Sequence, residues 1–191
     1  MSKTFQRAEE RLLSAIGAAR VSHAFFISSL DPEPAVRLAR RAAALVCTGE
    51  ADEARLAQSA GFRAYAGASM RIDDIRELIA GLAQSPLNGQ MRCTLIEAAH
   101  GMNIPVQNAL LKTLEEPSSS AVFILTGNIA GVLPTVASRC AVIRAGLSSA
   151  SEIESLLLSR GASPAEARFY AAVGGGSETR ALRLYEDETF R

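Results

Sequence analysis

Residues 103–140, NIPVQNALLKTLEEPSSSAVFILTGNIAGVLPTVASRC, decide the fold. Asn103 can cap a helix through its side-chain oxygen. Pro105 falls in the first turn, where a missing N–H costs nothing. Val106, Ala109, Leu110, Thr113 and Leu114 recur at helical spacing, which predicts one buried face. Pro117 cannot continue a helix, so the segment is expected to end just before it. Residues 121–126, AVFILT, form a short unbroken apolar run of β-branched and aromatic residues. That pattern predicts a strand covered on both faces.

Outward from this stretch the same alternation repeats. Strands are predicted at 23–28 (HAFFIS), 61–66 (GFRAYA), 91–96 (MRCTLI) and 141–145 (AVIRA). Between them lie helical patterns. Phe5, Ala8, Leu12, Leu13 and Ile16 share a face over residues 5–20, against the core or another subunit. Residues 34–47 form a second helix, with Arg37, Arg40 and Arg41 on one face, either a patch for phosphates or an acidic partner, or an ordinary solvated surface. Residues 48–59 are polar and read as helix or loop. Residues 71–84 form a third helix, with Ile72, Ile75, Leu78, Ile79 and Leu82 expected inward. Pro86-Leu87-Asn88-Gly89 is a turn. Strand–helix alternation to about residue 145 predicts an α/β fold with a parallel sheet. From Ser148 onward the pattern is helical only. Ser151-Glu152-Ile153-Glu154 has the form of a capping signature, Ser163 and Pro164 open a helix, Gly174-Gly175-Gly176 reads as a flexible break, and 177–186 form a last helix.

Length and composition set outer bounds. The chain has 191 residues, enough for one domain or one domain with a small appendage. Hydrophobic residues make up 48%, ample for a core, and 20 basic residues balance 20 acidic ones. No bulk charge advertises a nucleic-acid binder. Cys47, Cys93 and Cys140 are far apart in sequence with no CxxC pair, so neither a zinc site nor a disulfide framework is expected. No apolar run reaches the roughly 20 residues of a membrane span, and the polar N-terminus shows no secretory signal. The expected location is cytoplasmic.

Asn-Ala-Leu-Leu-Lys-Thr-Leu-Glu-Glu-Pro at 108–117, Leu133-Pro134-Thr135, and Ser138-Arg139-Cys140 closely resemble the delta-prime and gamma/tau subunits of the bacterial DNA polymerase III clamp loader, members of the AAA+ superfamily. The resemblance runs from about His23 to Arg144, includes Ile-Arg-Glu-Leu at 75–78, and continues more weakly to the end. It implies an AAA+ type parallel five-stranded sheet flanked by helices over residues 1–146, followed by a small three-helix lid over 147–191. The helical collar of the family is expected to be absent, as is the four-cysteine zinc module after Cys47. The implied partners are the gamma/tau and delta subunits and, through the complex, the sliding clamp and primed DNA.

The resemblance also shows what has changed. A phosphate-binding loop needs glycines whose backbone N–H groups wrap phosphates, then a Lys and a Ser/Thr. Here the glycine positions hold Ser29, Pro32 and Pro34, the Lys position Ala35 and the Ser/Thr position Val36. Asp31 and Glu33 add negative charge. After the 91–96 strand, Glu97 is followed by Ala98 where a catalytic acid would stand. Asn128 holds the family's sensor position but reads as a turn residue. His23 reads as structural, and Arg180, near a position from which relatives can contact nucleotide, is expected to make no such contact here. No cofactor and no metal are expected. Ser138-Arg139-Cys140 is intact, and Arg139 is expected to act in trans as an arginine finger on a neighbour's ATP, with Cys140 as a packing residue. The function implied is that of a non-catalytic clamp-loader subunit. The alternatives are an ATP-hydrolysing gamma/tau-like enzyme and a structural adaptor outside the replisome.

Overall fold

The computed structural model describes residues 3–17, 22–83, 91–116, 118 and 120–187. The helix stop at Pro117, the turn at 86–89, and the helix ends expected at 18–20 and Gln84 lie outside the described residues.

Five parallel strands form one sheet: β1 (Ala24–Ser28), β2 (Phe62–Ala66), β3 (Arg92–Glu97), β4 (Ala121–Gly127) and β5 (Ala141–Arg144), in the order β2-β3-β4-β1-β5. Register sets Phe25 opposite Ile124 and, on the other side of β1, opposite Ala141. Side chains alternate across a strand, so each central strand feeds two cores. Phe25, Ile27, Leu95 and Ile124 face α1 (Lys3–Gly17) and α2 (Pro32–Thr48). Phe26, Ile96, Phe123 and Leu125 face α4 (Ile72–Ala83) and α5 (Ile104–Glu115). Both faces being covered, the strands read as continuous apolar runs. Short helices α3 (Glu53–Leu56) and α6 (Pro134–Ala137) complete this part. Phe5, Ala8 and Leu12 of α1 are buried in the first core, so that helix packs on the sheet.

The inward stripe of α4 is narrower than its periodicity suggests. Ile75 and Leu78 are buried, but Ile72 and Ile79 are 37% and 38% exposed. The helix lies near the edge strand β2, where the sheet covers only part of its apolar face. Cys47 and Cys93, distant in sequence, meet between α2 and β3 as free buried thiols. The hydrogen bond from Cys93 lowers the Cys47 thiol and raises Cys93 well above the ordinary range. Among the described residues no helix is long and apolar enough to cross a membrane.

Helices α7 (Ala150–Ser159), α8 (Pro164–Gly174) and α9 (Glu178–Glu186) have a core of their own, centred on Ile153, Leu157, Tyr170 and Ala181. The cap of α7 is Ser149, two residues before the expected one. The Ser-x-x-Glu spacing occurs at both 149–152 and 151–154, and only the first makes the reciprocal pair of cap bonds. Backbone N–H groups of Lys3 and Ser149 hold the Glu152 carboxyl down at about 2. Ser163 caps α8 as expected, again with a reciprocal glutamate, Glu166. Residues 174–176 are a built turn and not a loose one. A Cβ on Gly174 would stand 2.8 Å from that of Ala181, so α8 and α9 meet there at glycine distance. Gly176 has φ +87°, and its carbonyl accepts from the Ser148 N–H at 2.8 Å.

In a parallel sheet all carboxyl ends lie along one edge, where α/β proteins hold their ligands. Ser28, Glu97 and Gly127 close β1, β3 and β4 on that edge.

Candidate functional site

The turn from β1 to α2 is tied down by its own side chains. The Ser29 N–H donates to the Gly127 carbonyl at 3.0 Å, and the Asp31 N–H donates to Ser29 Oγ at 3.0 Å. Asp31 precedes α2 but does not cap it. Its carboxylate turns to α9. It accepts from the N–H of Glu178 at 2.6 Å, the N–H of Thr179 at 3.3 Å, and the Thr179 hydroxyl. Ser177 Oγ accepts from the third N–H of that turn, Arg180, at 3.0 Å. Every helix begins with N–H groups that lack intrahelical partners, and its positive end favours an anion. At α9 the anion is Asp31, which is fully buried. Around it Glu178, also buried, accepts from Ser148 Oγ at 2.8 Å and pairs with Arg37 at 3.3 Å.

The charge that looked repulsive in the sequence is therefore a latch between the sheet and the C-terminal helices. Asp31→Asn keeps the shape but replaces a charged acceptor with an amide. It is expected to lower stability by about 2 kcal/mol, since hydrogen bonds to charged groups are worth roughly 1.5–3 kcal/mol. Urea denaturation checks this, and an unchanged midpoint would mean that the contact adds nothing.

The same arrangement leaves the start of α2 poor in donors. Pro32 and Pro34 have no N–H, and the Glu33 N–H is bound to Thr179 Oγ1 at 3.3 Å. At the end of β3, Glu97 pairs with Arg40 at 2.9 Å. Ala98 has φ +50°, and its N–H donates to Thr126 Oγ1 at 3.2 Å. Arg37, Arg40 and Arg41 each hold an acid: Glu33 and Glu178, Glu97, and Glu9. These pairs tie α2 to α9, β3 and α1, while the three arginine side chains stay 40–45% exposed. Asn128 caps a short turn through the Ala130 N–H, and His23 Nε2 meets the Leu114 carbonyl at 2.9 Å, both structural as expected. Arg180 is exposed on a groove of about 550 Å³ that it shares with Leu30, Pro32 and Leu147. Among the described residues no group of three or more His, Cys, Asp or Glu side chains could hold a metal.

The Ser-Arg-Cys triplet follows the single turn of α6. That turn is fixed from α5: Gln107 is buried, donates to the Met102 carbonyl at 2.9 Å, and accepts from the Leu133 N–H at 2.7 Å. Gln107 went unread in the sequence, although it stands beside Val106 on the buried face. The Thr135 carbonyl accepts from Ser138 Oγ at 3.1 Å and from Arg139 Nη1 at 2.7 Å. Arg139 Nη2 donates to the carboxylate of Glu115, the last residue of α5. The Arg139 side chain is 31% exposed. Cys140 points inward as a packing residue, and burial pushes its thiol up to about 11. Ser138 and Arg139 thus share one surface turn while Cys140 faces the core.

Comparison with known proteins bears on the family and the fold. The profile of the family described as DNA polymerase III, delta subunit, matches residues 5–146. The chain is 37% identical over 119 residues to DNA polymerase III subunit delta' of Pseudomonas aeruginosa, covering 61% of this chain and 36% of that protein. It is 36% identical over 76 residues to subunit tau of Escherichia coli K12, covering 39% of this chain and 12% of that protein. Among solved structures, a DNA polymerase III gamma subunit-related protein of Thermotoga maritima superposes with a TM-score of 0.62 at 20% identity, over 94% of this chain and 57% of the other. The RuvB Holliday junction branch migration motor of the same organism gives 0.60 at 16% identity, over 94% and 59%. These likenesses establish the AAA+ fold. The chain spans about a third of the length of the delta' relative. With its sheet, its turn from β1 to α2 and the Ser-Arg-Cys turn accounted for, the chain belongs to the DNA polymerase III delta-subunit family.

Proposed function

We propose that this chain is a non-catalytic, delta-prime-like subunit of the clamp loader of a replicative DNA polymerase. It helps to load the sliding clamp on primed DNA, and it presents Arg139 as an arginine finger to a neighbouring ATPase subunit. Its partners are the gamma/tau and delta subunits, with clamp and DNA engaged through the complex, in the cytoplasm. Residues 1–146 form the α/β domain and 147–191 its lid.

One observation carries the reading: the start of α9, next to where phosphates would lie, is occupied by this chain's own Asp31, while Arg139 keeps a surface position. A phosphate cradle needs backbone donors, and α2 has lost most of its own to proline and to Thr179. Ala98 cannot polarise water. A guanidinium, always charged and planar, suits a γ-phosphate across an interface.

Isothermal titration with Mg-ATP is expected to show no binding. Micromolar affinity would sink the non-catalytic reading and favour a gamma/tau-like ATPase. Restoring Lys at position 35 alone is not expected to rescue binding, because Pro32 and Pro34 still withhold their donors. Gel filtration with the gamma/tau and delta subunits tests membership in the assembly. Failure to co-elute would favour an adaptor outside the replisome.

A further inference from the structure

An arginine side chain gives up considerable rotamer freedom when it is fixed on a target. Arg139 is fixed in advance, from two separate elements. The Thr135 carbonyl, in α6, takes one N–H of Nη1, and Glu115, at the end of α5, takes one N–H of Nη2. A guanidinium has five such donors. The other three, one of them on Nε, have no partner among the described residues. The two anchors therefore hold the group and leave it able to grip an anion.

Glu115 is badly placed for its own helix. The C-terminal end of a helix carries the negative end of the macrodipole, where a carboxylate is repelled and a cation favoured. The basic residue of that last turn is Lys112. Nor does the pair serve stability to any large degree, since Arg139 and Glu115 are 31% and 49% exposed and solvent screens them. What the contact does is restrict where the guanidinium can be.

We propose that Glu115 is a positioning residue for Arg139, holding the guanidinium in the orientation from which it reaches the neighbouring subunit's nucleotide. This rests on the trans role of Arg139 given above. A neutral acceptor of the same length keeps the bond in weaker form and so restores most of the positioning.

The test uses the complete loader with gamma/tau and delta subunits, clamp and primed DNA. Steady-state phosphate release gives kcat and KM for ATP, and gel filtration checks assembly. Glu115→Ala is expected to lower kcat at the adjacent site about tenfold with KM for ATP nearly unchanged, as misplacement of a catalytic group can cost on the order of 10²-fold. Glu115→Gln is expected to stay within about threefold of wild type, a rescue that an effect of charge alone would not give. The double variant Glu115→Ala with Arg139→Ala should be no slower than Arg139→Ala alone, because a residue acting through another adds nothing once that other is gone. Wild-type or raised kcat for an assembled Glu115→Ala complex overturns the proposal, as does an additive double variant. Wild-type turnover by Arg139→Ala would remove the trans role and this inference together. A slow Arg139→Ala with a normal Glu115→Ala would remove only the inference. If Glu115→Ala does not assemble, Glu115→Ser is read by the same criteria.

Discussion

Arg139→Ala is expected to slow ATP hydrolysis at the adjacent subunit's site by roughly 10³–10⁵, the range for loss of an arginine finger. The loss over the whole complex will look smaller, because other sites keep their own fingers. The melting temperature of the isolated chain should hardly move. Among the described residues Arg139 contributes to its own fold a half-exposed pair with Glu115 and a bond to a carbonyl four residues back, and exposed pairs of this kind are worth about 0–1 kcal/mol. Arg139→Lys is expected to rescue poorly, since an ammonium on a flexible stem cannot replace a planar fork. Phosphate release from the reconstituted complex is the measurement. An assembled Arg139→Ala complex that turns over at the wild-type rate would leave Arg139 a surface residue paired with an acid.

Leu110→Ala is expected to destabilise the chain by roughly 2–5 kcal/mol, the usual range for truncating a buried leucine. Leu110 is fully buried on α5, in the core that also holds Phe26, Phe123 and Leu125 of the sheet. Removing it leaves a cavity between helix and sheet that close-packed neighbours fill only in part. Lys112, two residues on, is exposed, and Lys112→Ala should cost under about 0.5 kcal/mol. Urea denaturation of both variants separates them. Equal midpoints would show that α5 can repack around the loss.

Much of this was legible because local chemistry and global position agree. The Asn103 cap, Pro105 and the buried stripe of α5 depend on residues within a few turns of one another, and the structure keeps Val106, Leu110, Thr113 and Leu114 inside. Where a feature depends on what lies across the fold, sequence falls short. Ile72 and Ile79 carry the same periodic signal as Ile75, and only the width of the sheet beneath α4 separates them. At Ser149 and Ser151 two identical spacings overlap, and the path of the chain into α7 selects the first. Asp31 reads as a charge beside an empty cradle because its partners, Glu178 and Thr179, are 147 and 148 residues away. For Glu115 a faint signal existed, an acid at the wrong end of its helix, but nothing in the sequence pointed from it to Arg139.

The Asp31 latch also bears on whether a phosphate site could be built at this turn. Clearing the negative charge from residue 31 to make room for phosphates would strip α9 of the acceptor for two backbone N–H groups. That change weakens the fold before any nucleotide can bind to offset the loss. Substitution at residue 31 should therefore lower stability unless α9 is re-capped at the same time.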